Sequence, residues 1–240
     1  RVRSSAASDV YKRQGFGDCF CLRDRKKSLL VDFGTNNSRI EGRPRREIFD
    51  VIISDLSTIK SKNLLLTHFH MDHLSGLLYM MKKKDISVDF GKIYLPDVFS
   101  KKEMSRTLVL LLLADLLKES GLPSRQVSLF ALVDALLENK QNVELLSRGK
   151  LFENKYQALW PDTDVIRKET DEVYNRICED GKFKEVMDVL LEFAEKLRLI
   201  VWSMTAEGNK PAETVEKETD LTASELTEQP EVRQKIIRAY

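Results

Sequence analysis

The sequence is short of histidine and cysteine and carries almost no net charge. Its 240 residues include three histidines and three cysteines, and the formal net charge is +1. A charge so close to zero gives no general electrostatic argument for nucleic acid, membrane or acidic partners. The three cysteines, Cys19, Cys21 and Cys178, cannot all pair within one chain. We therefore expect reduced thiols and a cytoplasmic location.

Long apolar runs and a secretory leader are also missing. The longest apolar run, residues 108–114, is followed by Asp115 and Lys118. It falls well short of the ~18 apolar residues that a membrane span needs, so no membrane partner is expected. The chain starts at Arg1, and residues 1–14 lack apolar periodicity. We interpret these residues as a non-native leader.

Apolar periodicity predicts a layered α/β arrangement in the first part of the chain. The expected elements are a hairpin of strands at residues 15–22 and 28–33, a helix at 47–60, a strand at 63–67, a helix at 74–82 and a strand at 88–95. The apolar face of the first helix is expected to contain Ile48, Val51, Ile52 and Leu56.

The second part of the chain is predicted to be mainly helical. Two helices are expected at residues 101–120 and 124–139, broken by Gly121 and Pro123, then strands at 143–146 and 156–160, a helix at 170–203 broken near Gly181, a polar linker at 205–228 and a helix beginning at 231. The predicted division is a leader at 1–14, a domain at 15–161 with a helical insertion at about 100–140, and a helical region with a linker at 162–240.

All three histidines lie in residues 67–73, which read THFHMDH. His68 and His70 are two apart, so on an extended segment both imidazoles point the same way and can bind one metal ion. Asp72 and His73 follow where the chain turns into a helix, and they can reach a second ion beside the first. Such ligands suit zinc, with manganese or iron as substitutes. The alternative, three histidines without any ligand, explains their clustering poorly.

This segment resembles the His-x-His-x-Asp-His motif of the metallo-β-lactamase superfamily, which stands at a strand end. The superfamily also has an upstream strand ending in Asp and Gly, which residues 31–34 (VDFG) match. Residues 15–18 (GFGD), 146–149 (LSRG) and 159–161 (LWP) look like the branch with the hydrolase-like domain of the DNA-uptake channel protein. The resemblance covers residues 15–97 and 142–161.

The resemblance implies a partial αββα sandwich with a helical insertion and a helical C-terminal part. It implies a metal-dependent hydrolase that activates a metal-bound hydroxide to cleave a phosphodiester, another ester or an amide. A small-molecule or phosphodiester substrate is expected, with nucleic acid as a weaker alternative. His68 and His70 would bind the first of two zinc ions, Asp72 and His73 the second, and Asp72 would also orient the hydroxide. The residues expected to support these ligands are Asp18, Asp32 and Thr67.

The sequence departs from the superfamily pattern after the histidine motif. The superfamily takes further ligands from later in the chain, namely two histidines and an aspartate in a Gly-Asp pair. Here no histidine follows His73, and Asp180-Gly181 has the reverse order. Three imidazoles and one carboxylate cannot complete two metal sites. We therefore expect an N-terminal fragment of a hydrolase; the alternative is a non-catalytic metal-binding or regulatory module with a degenerate site.

Overall fold

The computed structural model describes residues 19–23, 27–83, 89–119 and 129–206. The chain divides into two compact units, Arg1–Leu95 (unit 1) and Pro96–Tyr240 (unit 2). Several predictions lie outside the described residues: the leader, Asp18, the break at Gly121 and Pro123, and all segments beyond residue 206.

Unit 1 combines strands with two helices, which confirms the predicted α/β class. In chain order the elements are β1 (Phe20–Arg23), β2 (Ser28–Val31), β3 (Arg39–Ile40), β4 (Arg43–Pro44), α1 (Arg45–Ser57), β5 (Lys62–Leu65), α2 (Met71–Met81) and β6 (Ile93–Pro96). The order β1-β2-β5-β6 describes the sheet within this unit. The predicted hairpin is confirmed, since β1 and β2 pair in antiparallel fashion.

The pairing of β2 with β5 determines where the histidine motif leaves the sheet. The two strands are parallel and in register, with Val31 opposite Leu65. The Asp32 N–H continues the ladder by donating to the Leu65 carbonyl at 2.8 Å. Since parallel strands end at the same edge, the loop after β2 and the motif after β5 start side by side. Residues far apart in sequence are thereby brought together.

Helix α1 buries a different face from the one predicted. Ile48 and Leu56 are buried as expected, but Val51 is 39% exposed, while Phe49 and Ile53 are buried in its place. The ring of Phe49 lies 5.3 Å from that of Phe33, centroid to centroid. Phe49 thus contributes to the buried face of the helix, while Val51 faces outward.

Unit 2 is mainly helical, as the sequence predicted. Its elements are a 3₁₀ turn (Lys102–Met104), α3 (Ser105–Glu119), α4 (Leu129–Glu138), β7 (Val143–Leu146), β8 (Leu151–Phe152), β9 (Tyr156–Gln157), α5 (Thr163–Glu179) and α6 (Gly181–Ser203). The break between the last two helices falls at Asp180, close to the predicted break. The predicted strand at 156–160 is shorter than expected, because only Tyr156–Gln157 pairs with β8.

Leucine-rich faces of the unit 2 helices form its core. Fully buried side chains include Leu108, Leu112, Leu132, Leu136 and Leu190. Polar contacts join α3 to α5: Arg106 Nη1 lies 2.9 Å from Asp171 Oδ1, and the hydroxyls of Thr107 and Thr170 are 3.0 Å apart. None of the described helices combines the length and the apolarity that crossing a membrane requires.

Candidate metal centre

The histidine motif lies between β5 and α2, and the helix begins earlier than predicted. Helix α2 begins at Met71 rather than at Leu74, with His70 as its N-cap residue. Asp72 and His73 therefore belong to the first helical turn. A carboxylate in that turn is stabilised by the unpaired N–H groups of the helix start. The early start fixes Asp72 and His73 on one rigid element.

The loop after β2 holds this helical turn through backbone contacts. The Phe33 N–H donates to the His73 carbonyl at 2.7 Å, and the Gly76 N–H donates to the Phe33 carbonyl at 2.8 Å. A Cβ atom on Gly34 would lie 2.7 Å from the backbone of Asp72, His73 and Leu74. Glycine is therefore the residue that allows the loop and the helix to approach this closely.

A buried side chain completes the attachment between the loop and the helix. The Ser75 hydroxyl donates to the Thr35 carbonyl at 2.9 Å and accepts from the Thr35 N–H at 2.9 Å. Both residues are buried. This reciprocal pair was not predicted, because neither residue carries a sequence signal that distinguishes it from other small polar residues.

Three of the four proposed ligands are brought together. Ligand atoms of His68, Asp72 and His73 all lie within 4.8 Å of one another, the only such group of three or more found in the described part of the chain. The ring centroids of His68 and His73 are 3.8 Å apart. His70 lies beside this group, with its ring centroid 4.7 Å from that of His68. His68 was expected to bind one metal ion and Asp72 and His73 another, whereas the structure places ligand atoms of all three in one group.

Asp32 is almost fully buried and contacts the residues of the histidine motif. Its Oδ2 atom is 2.9 Å from His73 Nδ1 and accepts from the Thr67 hydroxyl at 2.7 Å, and its Oδ1 atom accepts from the Thr67 N–H at 2.8 Å. Asp32 adopts a left-handed backbone conformation, φ 54°, which is uncommon outside glycine. The carboxylate acts here as an anchor for the motif, the role that the sequence analysis favoured for it.

The electrostatic surroundings favour a neutral imidazole at His68. Burial lowers the pKa of His68 below its usual value of 6.5, and the neighbouring imidazoles of His73 and His70 lower it further. Asp32 and Asp72 act in the opposite direction but do not outweigh these effects. A neutral imidazole has a lone pair available for a metal ion.

The donors present fit a divalent metal ion. Asp32 holds the Nδ1 side of His73, which leaves the other ring nitrogen facing Asp72, with His73 Nε2 3.6 Å from Asp72 Oδ2. A carboxylate behind a histidine is the usual arrangement at zinc sites, because it fixes the tautomer and the ring orientation. Imidazole nitrogens and a carboxylate oxygen then converge on one point, which is a donor set that zinc accepts.

Comparisons with known proteins match the first part of the chain. The family model described as the metallo-beta-lactamase superfamily matches residues 13–96. The endoribonuclease YSH1 of Mycosarcoma maydis is 32% identical over 77 residues, which make up 32% of this chain and 8% of that protein. No solved structure matches the chain. The finer resemblance to the branch with the DNA-uptake channel protein stays a prediction.

Proposed function

We propose that the protein is the metal-binding part of a metal-dependent hydrolase of the metallo-β-lactamase superfamily, whose family model matches residues 13–96. The observation that carries the proposal is the convergence of His68, Asp72 and His73 within 4.8 Å, held by the buried carboxylate of Asp32. We propose His68, His70, Asp72 and His73 as the metal ligands. Zinc is the proposed metal, with manganese or iron as alternatives.

The chemistry proposed for the site is hydrolysis. A divalent ion held here would act as a Lewis acid and would lower the pKa of a water molecule. Asp72, whose side chain is 28% exposed, is the candidate to orient that water and accept its proton. His68 and His73 are held in place by Asp32 and Thr67, so little reorganisation is needed for binding. Preorganised ligands of this kind are what a catalytic metal site requires.

A phosphodiester is the proposed substrate class. The relative from Mycosarcoma maydis is named as an endoribonuclease, and endoribonucleases cleave phosphodiesters. The chain spans 8% of that protein's length, so the transfer of its substrate class to this chain is a proposal. Esters and amides remain the alternatives, since loops around a shared metal centre choose the substrate in a given fold.

A second candidate function is metal binding without catalysis. It is favoured by the absence of any histidine after His73 in the 240 residues. The residues present supply one ion with ligands more readily than two. A cytoplasmic location and the division into domains at residue 161 also stay predictions.

Zinc content and hydrolysis, measured on the same samples of the 240-residue chain, test the proposal. The zinc-loaded protein is dialysed, its metal content is determined by mass spectrometry, and it is assayed with bis(p-nitrophenyl) phosphate. We expect at least about one zinc per chain and measurable hydrolysis. The variants His68→Gln and Asp72→Asn should lose both.

The control is Asp55→Asn, which changes an exposed aspartate of α1 and should alter neither zinc content nor hydrolysis. Zinc binding without hydrolysis would favour the second candidate function. Failure of the wild-type chain to retain zinc would overturn both candidates.

A further inference from the structure

We propose that the Thr67 hydroxyl is a positioning group. It links the Asp32 carboxylate to the His68 ring by two hydrogen bonds and so fixes His68 in the tautomer that carries its proton on Nδ1. His68 Nε2 is then the atom left free to bind metal. This inference rests on the proposed metal-binding function of His68. It adds a role for Thr67, a residue that contributes no ligand atom.

Counting hydrogen atoms around Thr67 decides the tautomer. The Thr67 Oγ1 atom lies 2.7 Å from Asp32 Oδ2 and 2.9 Å from His68 Nδ1. A hydroxyl has one hydrogen to donate, and an ionised carboxylate can only accept. The hydrogen of Thr67 must therefore point to Asp32. The contact with His68 is favourable only if His68 Nδ1 carries a proton and donates it to the hydroxyl.

Asp32 thereby controls two histidines by two different routes. It contacts His73 directly, with Oδ2 2.9 Å from His73 Nδ1. Its hydrogen-bonded link to His68 is indirect, because the Thr67 hydroxyl lies between Asp32 Oδ2 and His68 Nδ1. Both imidazoles are then left with Nε2 unprotonated, and that of His73 faces Asp72 at 3.6 Å. A charged acceptor strengthens each hydrogen bond in such a chain.

The Thr67 hydroxyl can be removed by a substitution that leaves the backbone N–H of residue 67 unchanged. The Thr67 N–H donates to Asp32 Oδ1 at 2.8 Å, and a change of the residue 67 side chain leaves this donor in place. Thr67→Val replaces the hydroxyl with a methyl group and keeps the branched shape. Thr67→Ser restores the hydroxyl and loses only the methyl group. The two variants separate the hydrogen bond from the packing of the side chain.

The test is ¹⁵N nuclear magnetic resonance of the histidine rings in the metal-free 240-residue chain, recorded well above the ordinary imidazole pKa of about 6.5. In the wild type and in Thr67→Ser we expect His68 to carry its proton on Nδ1. In Thr67→Val we expect the Nε2-protonated form of His68 to become substantial. The His73 ring should keep its proton on Nδ1 in all three proteins, because its contact with Asp32 is direct.

Zinc affinity, measured by competition with a chelator, provides a second reading. We expect it to fall about 10–100-fold in Thr67→Val, the usual cost of losing a group that orients a ligand, and to recover in Thr67→Ser. If Thr67→Val does not fold, Thr67→Ala replaces it as the variant without a hydroxyl.

A proton on Nε2 of His68 in the wild type would overturn the inference without any variant. An unchanged His68 tautomer in the hydroxyl-free variants would also overturn it, as would equal changes at His68 and His73, which would mean that Asp32 itself had moved. A wild-type chain that shows the expected tautomer but binds no zinc would instead reject the proposed function. The two failures are therefore distinguishable.

Discussion

Several turns among the described residues place a residue other than glycine in the left-handed backbone region, and two of them do so for different reasons. In unit 1, Asp32 has φ 54°, and in unit 2 the turn between β8 and β9 has Glu153 at 52° and Asn154 at 56°. The side chain of Asp32 is bonded to residues 35 and 41 positions away. The turn at Glu153 and Asn154 closes a local hairpin, and Leu151 beside it is 68% exposed. The same backbone conformation serves a long-range anchor in one case and a change of chain direction in the other.

This contrast indicates that the unusual conformation is costly to alter only where distant parts of the chain depend on it. Around Asp32 the contacts join the end of β2 to the start of α2. Around the β8–β9 hairpin the bonds are short-range, such as the Lys155 N–H donating to the Phe152 carbonyl at 3.2 Å. Substitutions in the two regions should therefore differ in size and in kind.

The largest effect on stability is expected at a glycine that packs against the backbone of a helix, in contrast to a glycine in an open turn. Gly34→Ala should lower the free energy of unfolding by about 3 kcal/mol or more, because its Cβ would lie 2.7 Å from backbone atoms that cannot move aside easily. Gly149→Ala is the matched substitution in unit 2. It has φ +91° and open space around its Cβ position, so it should cost only about 1 kcal/mol. Urea unfolding measures both, and equal losses would contradict the contrast.

The next effect is expected at Asp32 itself. Asp32→Asn keeps the size and the tolerance of the left-handed region but removes the charge that both Thr67 and His73 face. We expect the free energy of unfolding to fall by about 1–3 kcal/mol and the zinc affinity to fall about 10–100-fold. Chemical denaturation and chelator competition measure the two quantities.

The control for this change is Asn154→Asp in the hairpin, which makes the reverse exchange at a similar φ. It should stay within about 0.5 kcal/mol of the wild type and leave zinc affinity unchanged. A loss of zinc affinity in the hairpin variant would show that the two turns are not independent.

A smaller effect is expected from acid on the metal-free protein. The pKa of His68 is lowered by folding, mainly by burial, so the unfolded chain binds this proton more readily. Stability therefore falls as the pH drops from about 6.5 toward the lowered pKa and changes no further from this source below it. His68→Gln should lose less stability than the wild type between pH 7.5 and 5.5 in urea unfolding. Identical losses in the two proteins would contradict the direction of the shift.

The smallest effect is expected in the exposed hairpin region of unit 2. Leu159 is 80% exposed, so Leu159→Ser should change the free energy of unfolding by no more than about 0.5 kcal/mol. Zinc affinity should not change. A thermal shift of several degrees would contradict this expectation.

The sequence was sufficient to predict the order of the longer elements of unit 1, the helical character of unit 2 and the histidine cluster, but not the short pair β3 and β4. Periodicity and a specific motif are local signals, and they identify His68 and His73 without knowledge of the fold. The early start of α2 at Met71 could not be predicted, because it depends on the contact of Phe33 with the helical turn. Gly34 was visible only as part of a superfamily pattern. Its physical reason, the approach of Asp72, exists only in three dimensions.

The hydrogen bonds around the motif show the same limit. Asp32 and Thr67 were expected to support the ligands, but the route from Asp32 through Thr67 to His68 depends on the parallel pairing of β2 with β5. The prediction for the buried face of α1 was wrong at Val51, and the buried Phe49 was missed, because its ring contacts are with Phe33 and Tyr79, residues distant in sequence. In both cases the sequence allowed more than one local arrangement, and the arrangement observed involves contacts between residues distant in sequence.

The short span of the ligands has a consequence for how metal binding couples to folding. His68, His70, Asp72 and His73 lie within six consecutive residues, so an unfolded chain also presents them together and can capture zinc weakly. Ligand linkage stabilises a fold only through the difference in affinity between folded and unfolded chains. That difference comes from what folding adds to the ligands: the first turn of α2, which holds Asp72 and His73, and Asp32, which is brought to the motif when β2 pairs with β5. The protection that zinc gives against unfolding therefore measures how far folding organises the ligands, rather than the strength of the ligands themselves.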